Sequence, residues 1–413
     1  MNYRAVAFSL IVITSITSCT NKLNIRKVFG EAEAQTRVML AEIPKAKEAG
    51  LSVTTGATPG SVGRDLVSPR TLDTMGRLRL VTSKDWTSGF FPGVLWFINE
   101  HTGKNEWKVE AEKFTANIEK EKLNGTTHDM GFKIYCSFGT GYRLTKDQHY
   151  KDVIIQAART LATRFKPTVG TLRSWDHSRD KWGFPVIIDN MMNLELLFAA
   201  TQLTGDSSFH RIAVSHANTT MKNHFREDFS SYHVVDYDTL TGNPIHKHTH
   251  QGYSHSSAWA RGQAWALYGY TMCYRFTKDP AYLRHAEGVA KFILSHPNLP
   301  KDLVPYWDFN APGIPNEPRD ASAAALNASA LYELSLYSNN GKYYNETAEN
   351  ILKSLTKNYR STIGANKGWI LLHSTGSKPA NSEVDVPLNY ADYYYLEALL
   401  RSNKLKEGRS LWK

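Results

Sequence analysis

Cysteine is scarce in this chain: three residues in 413, at positions 19, 136 and 273. So small a number excludes a disulfide-stapled fold, and no spacing matches a zinc site. Cys136 and Cys273 lie in apolar helical stretches and read as two unpaired buried thiols. Long runs of Lys and Arg are also missing, although 49 basic against 39 acidic residues leave a net charge of +10. A basic chain favours nucleic acid, an anionic membrane or an acidic polysaccharide. The spread of the positive charge argues against nucleic acid. No apolar run is long enough for a comfortable membrane span; the one near the start covers only residues 5–16. What is present is ordinary for a globular protein, 41% hydrophobic and 21% charged, which excludes disorder and collagen-like repeats. Ten Trp and twenty-one Tyr are many; sugar clefts use such flat faces, but most should belong to a large core.

Residues 1–18 read as a secretion signal, with Arg4 ahead of the apolar stretch and small residues after it. The stretch ends Ile16-Thr17-Ser18-Cys19, which resembles a bacterial lipobox with Cys19 as the lipidated mature N-terminus. The alternative is a plain cleaved signal with an incidental Cys. Acyl chains on Cys19 would hold the protein at a membrane, and Thr20-Asn21-Lys22 carries no acidic export tag, which favours the periplasm or the periplasmic side of an outer membrane. Residues 19–28 read as a tether and 29–413 as one domain.

Within that domain one pattern recurs. An apolar, small-residue-rich segment ends in a turn, usually centred on Thr, and a second helical segment follows. The pairs are 89–97 with 107–118, 131–144 with 150–165, 190–203 with 209–225, 258–276 with 282–294, and 321–337 with 344–359. Segment 389–400 supplies one more helix of the first type, and 29–43 could be its partner from the other end of the chain. Six hairpins that bury one face on their neighbours form a solenoid or a closed toroid, and pairing of first with last argues for closure. The expected fold is an (α/α)6 toroid, all-α. The apolar first-type helices should form the inner ring and the charged ones the outside. The long polar loops 54–87, 170–185, 232–257, 298–319 and 373–388 should gather at one mouth, where function belongs.

Asp129 and Asp189 stand at the entrances of successive inner helices. Asp is a routine N-cap, and that is the plain structural reading of each. As a pair at one mouth they suggest more. Asp189 follows Pro-Val-Ile-Ile and precedes two Met, so burial and a like-charged neighbour should raise its pKa, against the opposing helix dipole. Asp129 stands beside His128 and two Thr, a setting suited to an ion. Two carboxyls with separated pKa values are an acid/base arrangement.

Four ordered motifs then carry a resemblance: Lys84-Asp85-Trp86-Thr87-Ser88-Gly89-Phe90-Phe91-Pro92-Gly93, His128-Asp129-Met130-Gly131-Phe132, Ile188-Asp189-Asn190-Met191-Met192-Asn193-Leu194, and Gln251-Gly252-Tyr253 with Ser257-Ala258-Trp259-Ala260-Arg261-Gly262-Gln263-Ala264-Trp265. They resemble the unsaturated glucuronyl hydrolases of glycoside hydrolase family 88, across nearly the whole mature chain. The resemblance implies an (α/α)6 barrel and a reaction without metal or other cofactor on Δ4,5-unsaturated uronic acids left by polysaccharide lyases, here in glycosaminoglycan oligosaccharides. It implies that Asp189 protonates C4 of the unsaturated sugar and helps a water add at C5, and that Asp129 binds ring hydroxyls and tunes Asp189. It further implies that Trp175 and Trp265 pack against the sugar and that His233, Gln251 and Arg261 surround the uronate. The Arg261 fork suits a carboxylate, while its structural alternative is a pairing with a neighbouring loop. Trp86 lines the mouth or is a staple residue, and His233 could equally face solvent on a strand.

His246, His248 and His250 alternate, which on a strand puts three imidazoles on one face; a metal site is the sharper reading and partial protonation near a polyanion the favoured one. Ser374, Ser377 and Lys378 lie where related enzymes bind the next sugar through a Ser-x-x-Ser-x-Lys pattern, with Lys378 here one residue early. Competing expectations are an unsaturated rhamnogalacturonyl hydrolase acting on pectin fragments and a non-catalytic glycan-binding lipoprotein in which both aspartates are caps.

Overall fold

The recurring turn has one physical construction. In the computed structural model, which describes residues 23–51 and 65–412, Thr102, Thr145, Thr204 and Thr277 each donate their hydroxyl to the carbonyl four residues back, at 2.7–2.8 Å. Each also accepts the backbone N–H two residues on. The residue between is left-handed: Gly103, Lys146, Gly205 and Lys278 all have positive φ, which ends the helix. In three of the turns the next residue is an Asp, and Asp147, Asp206 and Asp279 cap the following helix by accepting the N–H two residues on.

These turns join four of six inner helices to the outer helices that follow them. The inner set is α2 (Phe90–Thr102), α4, α6 (Asn190–Thr204), α8 (Ala260–Thr277), α10 (Ala321–Leu334) and α12 (Asn389–Lys406). Helix α4 is wound as a π-helix over Gly131–Gly139 and as an α-helix over Thr140–Thr145. The outer set is α1 (Ile25–Glu48), α3 (Asn105–Ala116), α5 (Gln148–Ala162), α7 (Ser207–Asn223), α9 (Pro280–Ser295) and α11 (Gly341–Ser354). Each inner helix packs on the next, and α12 packs back on α2, so the ring is closed. This is the (α/α)6 toroid expected from the repeat. Every residue of α10 is buried, whereas α11 buries a single stripe. Cys136 and Cys273 are buried and unpaired, and burial pushes both thiols up.

Three details depart from the sequence reading. Helix α1 begins at Ile25, capped by Asn24, so residues 25–28 of the expected tether belong to the fold. That helix rests chiefly on strand Leu78–Thr82 and the turn Asn366–Gly368, with fewer contacts to α2 and α12. The loops at the mouth carry small sheets: β1 (Leu66–Leu72) with β2 (Leu78–Thr82), β3 (Phe165–Lys166) with β4 (Thr171–Leu172), and β5 (Pro185–Ile187), β6 (Val234–Tyr237) and β7 (Pro244–His248) in that order. Three of these pairings are local hairpins, whereas β5 pairs with β6 across some distance in sequence, which a local pattern does not reveal. The signal segment 1–18, Cys19 and the start of the tether lie outside the described residues. Among the described residues no helix is long and apolar enough to cross a membrane.

Candidate active site

Strand β5 delivers Asp189 to the mouth. Ile187 pairs with Val234, the Ile188 N–H donates to the His233 carbonyl at 3.0 Å, and Asp189 follows at the head of α6. Unlike Asp147, Asp206 and Asp279, its side chain makes no capping bond. The residue is 7% exposed and its Oδ2 has no hydrogen-bond partner. Burial therefore pushes its pKa up to about 7, with Arg261 opposing and Asp129 adding to the rise. The expected contest between burial and helix dipole goes to burial.

His233 faces the bare oxygen, its Nε2 3.6 Å from Asp189 Oδ2. His233 is 3% exposed, so it does not face solvent, and burial holds its pKa well below the usual value. Its Nδ1 accepts two backbone N–H groups, from His250 and Gln251, each at 3.1 Å. A neutral imidazole accepting at Nδ1 carries its hydrogen on Nε2, aimed at Asp189.

Asp129 is treated differently. It is half-buried, accepts from the Thr127 hydroxyl at 2.6 Å and lies 3.2 Å from His128 Nε2. It caps nothing either, since the π-wound start of α4 has no side-chain cap. Two devices bring the aspartates' segments together. Gly131 lets α4 approach α6 so closely that a Cβ there would meet the Cα of Asn193 at 2.7 Å, and the Phe132 N–H donates to Asn193 Oδ1. Ser174 stitches the entrances: its carbonyl accepts the His128 N–H, its N–H donates to the Pro185 carbonyl, and its hydroxyl accepts the Ile187 N–H. Ser174 escaped the sequence reading because a serine that binds backbone leaves no pattern.

The other expected contacts divide. Trp86 is half-buried, with Phe90 and Phe132 edge-on and Tyr390 at 5.0 Å, so it both staples α2 and lines the mouth. Trp175 is half-buried against His177, Trp182 and His250. Trp265 is fully buried, between Phe132 and Tyr394, at the floor of the site beside Asp189. Its indole N–H is directed to Asp189 and opposes the rise of that pKa, although it falls short of a full hydrogen bond. Arg261 is buried beside the site. Its Nη1 donates to Asp320 at 2.7 Å and to the Thr375 carbonyl, and its Nη2 to the Gly376 carbonyl. The fork thus anchors the 374–378 loop, while its Nε has no partner and its charge acts on Asp189. Gln251 donates to the same Gly376 carbonyl at 3.0 Å. Within the loop Ser374 is fully buried, its backbone exchanging bonds with Val386. Ser377 is half-exposed, and Lys378 lies 3.7 Å from Glu317.

The three alternating histidines do not share one face of partners. His246 and His248 stack at 5.1 Å, His248 Nδ1 accepts from the Trp182 indole, and His250 lies beyond β7 beside Trp175. Among the described residues no group of three or more His, Cys, Asp or Glu could hold a metal ion. Two contributors were not singled out from the sequence: Trp259, which lay within a quoted motif and is sandwiched between His233 at 4.5 Å and the Arg261 guanidinium at 4.6 Å, and Arg70, which grips Asp85 and Glu383. At the opposite end of the ring a cavity of about 400 Å³ lies among Arg143, Glu195, Arg275 and Arg401, but these are closed into ion pairs: Arg275 with Glu195, Arg143 with Glu100 and Arg401 with Glu397. The chemistry is at the mouth.

A buried, proton-holding aspartate beside a second carboxylate, walled by tryptophan at the mouth of a helical toroid, is the equipment of an acid/base enzyme acting on sugars. The chain belongs to glycosyl hydrolase family 88, whose model matches residues 68–408. It is 57% identical over 327 residues to an unsaturated glucuronyl hydrolase from Formosa agariphila, covering 79% of this chain and 82% of that one. A solved unsaturated glucuronyl hydrolase specific for heparin matches with a TM-score of 0.85 and 45% identity, over 93% of this chain and 98% of that one. A variant of the Streptococcus agalactiae unsaturated glucuronyl hydrolase, complexed with dGlcA-GalNAc6S, matches with a TM-score of 0.74 and 27% identity, over 95% of this chain and 94% of that one.

Proposed function

We propose that this protein removes Δ4,5-unsaturated glucuronic acid from the non-reducing end of glycosaminoglycan oligosaccharides, by hydrating the vinyl ether. The observation that carries this reading is the uncapped, buried Asp189 carboxyl, still protonated near neutral pH. A proton from Asp189 to C4 converts the C4=C5 bond to a C–H bond and leaves a cation shared between C5 and the ring oxygen. The resulting carboxylate takes a proton from water as its oxygen bonds to C5, so the acid is regenerated. The hemiketal opens and the neighbouring sugar leaves. In the interval His233 Nε2–H faces the newly ionised Oδ2 and stabilises it. Asp129 accepts hydrogen bonds from ring hydroxyls and, by its charge, helps to keep the proton on Asp189. Trp86 and Trp175 offer the sugar apolar faces, and Gln251, Arg261 and the 374–378 loop shape the uronate's wall.

Cys19, following Ile16-Thr17-Ser18, supports acylation and a place in the periplasm or at the outer membrane. Labelled fatty acid should be incorporated into the full chain and not into Cys19→Ala. The activity is tested with unsaturated disaccharides from chondroitin, hyaluronan, heparin and pectin, followed by loss of the absorbance of the conjugated double bond. Loss with a glycosaminoglycan product supports the reading. Loss only with the pectin product moves the protein to rhamnogalacturonan, and no loss leaves a glycan binder.

A further inference from the structure

Behind Trp175 the mouth continues into a rim that the reaction does not use. His177 stacks on Trp175, with ring centres 5.0 Å apart and planes 14° apart. His250 lies 5.6 Å from Trp175 and 5.7 Å from Trp182. Lys181 Nζ stands 6.0 Å over the Trp182 ring. His177, Lys181 and His250 are all exposed, and the charges of His177 and Lys181 both act on His250, so the three face one region. Lys181 forms no ion pair among the described residues. The segment that carries His250 is free of competing charge: between Asp238 and Asp279 the sequence has no carboxylate. The carboxylates that act on His177 are Asp129 and Asp176, and Asp180 adjoins Lys181 in the sequence. Asp176 is already held by Arg164 and Arg173.

The loop expected to take an anion is engaged elsewhere, with Ser374 fully buried and Lys378 beside Glu317. Asp129, by contrast, acts electrostatically on His177, which puts the rim next to the reacting pair. Resting on the proposed function, we propose that His177, His250 and Lys181 form a binding site for a sulfate ester on the sugar that leaves. An anion there would be met by one fixed cation and two imidazoles that donate N–H and gain charge as it binds. The backbone of His250 is fixed by His233, so the imidazole can be changed without moving the strap that carries it.

The test compares matched unsaturated chondroitin disaccharides, 6-sulfated and unsulfated, on the whole enzyme and on His177→Gln, His250→Gln and Lys181→Met. Loss of one charged contact should lower the ratio of kcat/KM for sulfated over unsulfated substrate about tenfold, carried by KM, and the double histidine variant should lower it further. An unchanged ratio, or equal loss on both substrates, overturns the proposal. If the wild-type chain turns over neither disaccharide, it is the proposed function that fails. Direct titration of both disaccharides into wild type and the double variant then decides the anion site by the same ratio, and equal affinities would overturn it.

Discussion

At the scale of single residues, the contrast among aspartates is decisive. Asp147, Asp206 and Asp279 accept backbone N–H groups at helix starts; Asp189 occupies the same kind of position and accepts no capping bond. Replacing Asp189 by Asn removes the proton that starts the reaction without removing a cap. The variant should fold, bind substrate and lose turnover by several orders of magnitude, read as absence of ultraviolet change; near-wild-type rates would refute the assignment. Because Asp189 titrates at about 7, the rate should fall as pH rises through that value. Stability follows the same proton. The folded-state pKa lies above the ordinary carboxyl value, so between about pH 4 and 7 the folded chain holds a proton that the unfolded chain has released. Stability therefore declines as pH rises across this window, by an amount on the order of a few kcal/mol. Denaturant titrations at several pH values should show a shallower slope for Asp189→Asn. Asp392, also buried and pushed up to about 7, should leave part of the slope in place.

At the scale of elements, the turns and the mouth strap obey different rules. The Thr-x-Asp turns are local, and so they were legible: a hydroxyl, a left-handed residue and a cap within three positions. Removing one cap, Asp279→Ala, should cost about 1 kcal/mol in denaturant unfolding and leave activity intact. The strap 373–388 is held instead by partners far away in sequence. Arg70 binds Glu383 through two nitrogens at 2.6 and 2.8 Å and Asp85 through a third, while Arg261 and Gln251 hold Gly376 from the other side. Glu383→Gln leaves the buried Arg70 short of charge. It should cost about 3 kcal/mol and raise KM more than it lowers kcat, as the strap loosens beside the substrate. Equal effects on both constants would count against a positioning role for the clamp.

At the scale of the whole molecule, ring closure turns six successive helix entrances into one mouth. The toroid and both aspartates were readable because small residues, apolar runs and turns repeat along the chain. The burial of Asp189 was readable from Pro185-Val186-Ile187-Ile188 and Met191-Met192, which the structure places in β5 and the head of α6. The partners of Arg261, Trp265 and Ser374 were not, because each lies across the mouth: the carbonyls of Thr375 and Gly376, the rings of Phe132 and Tyr394, and the backbone of Val386. Residue type announces what a side chain can do, while its partners decide what it does. The central claim is that the double bond is hydrated and that the glycosidic bond is not attacked directly. It is tested by incubating an unsaturated glycosaminoglycan disaccharide with the enzyme in heavy water and following absorbance and free sugar together. The account predicts that absorbance falls in step with release of the neighbouring sugar, with deuterium delivered to C4 of the product; free sugar appearing while the absorbance persists would contradict it.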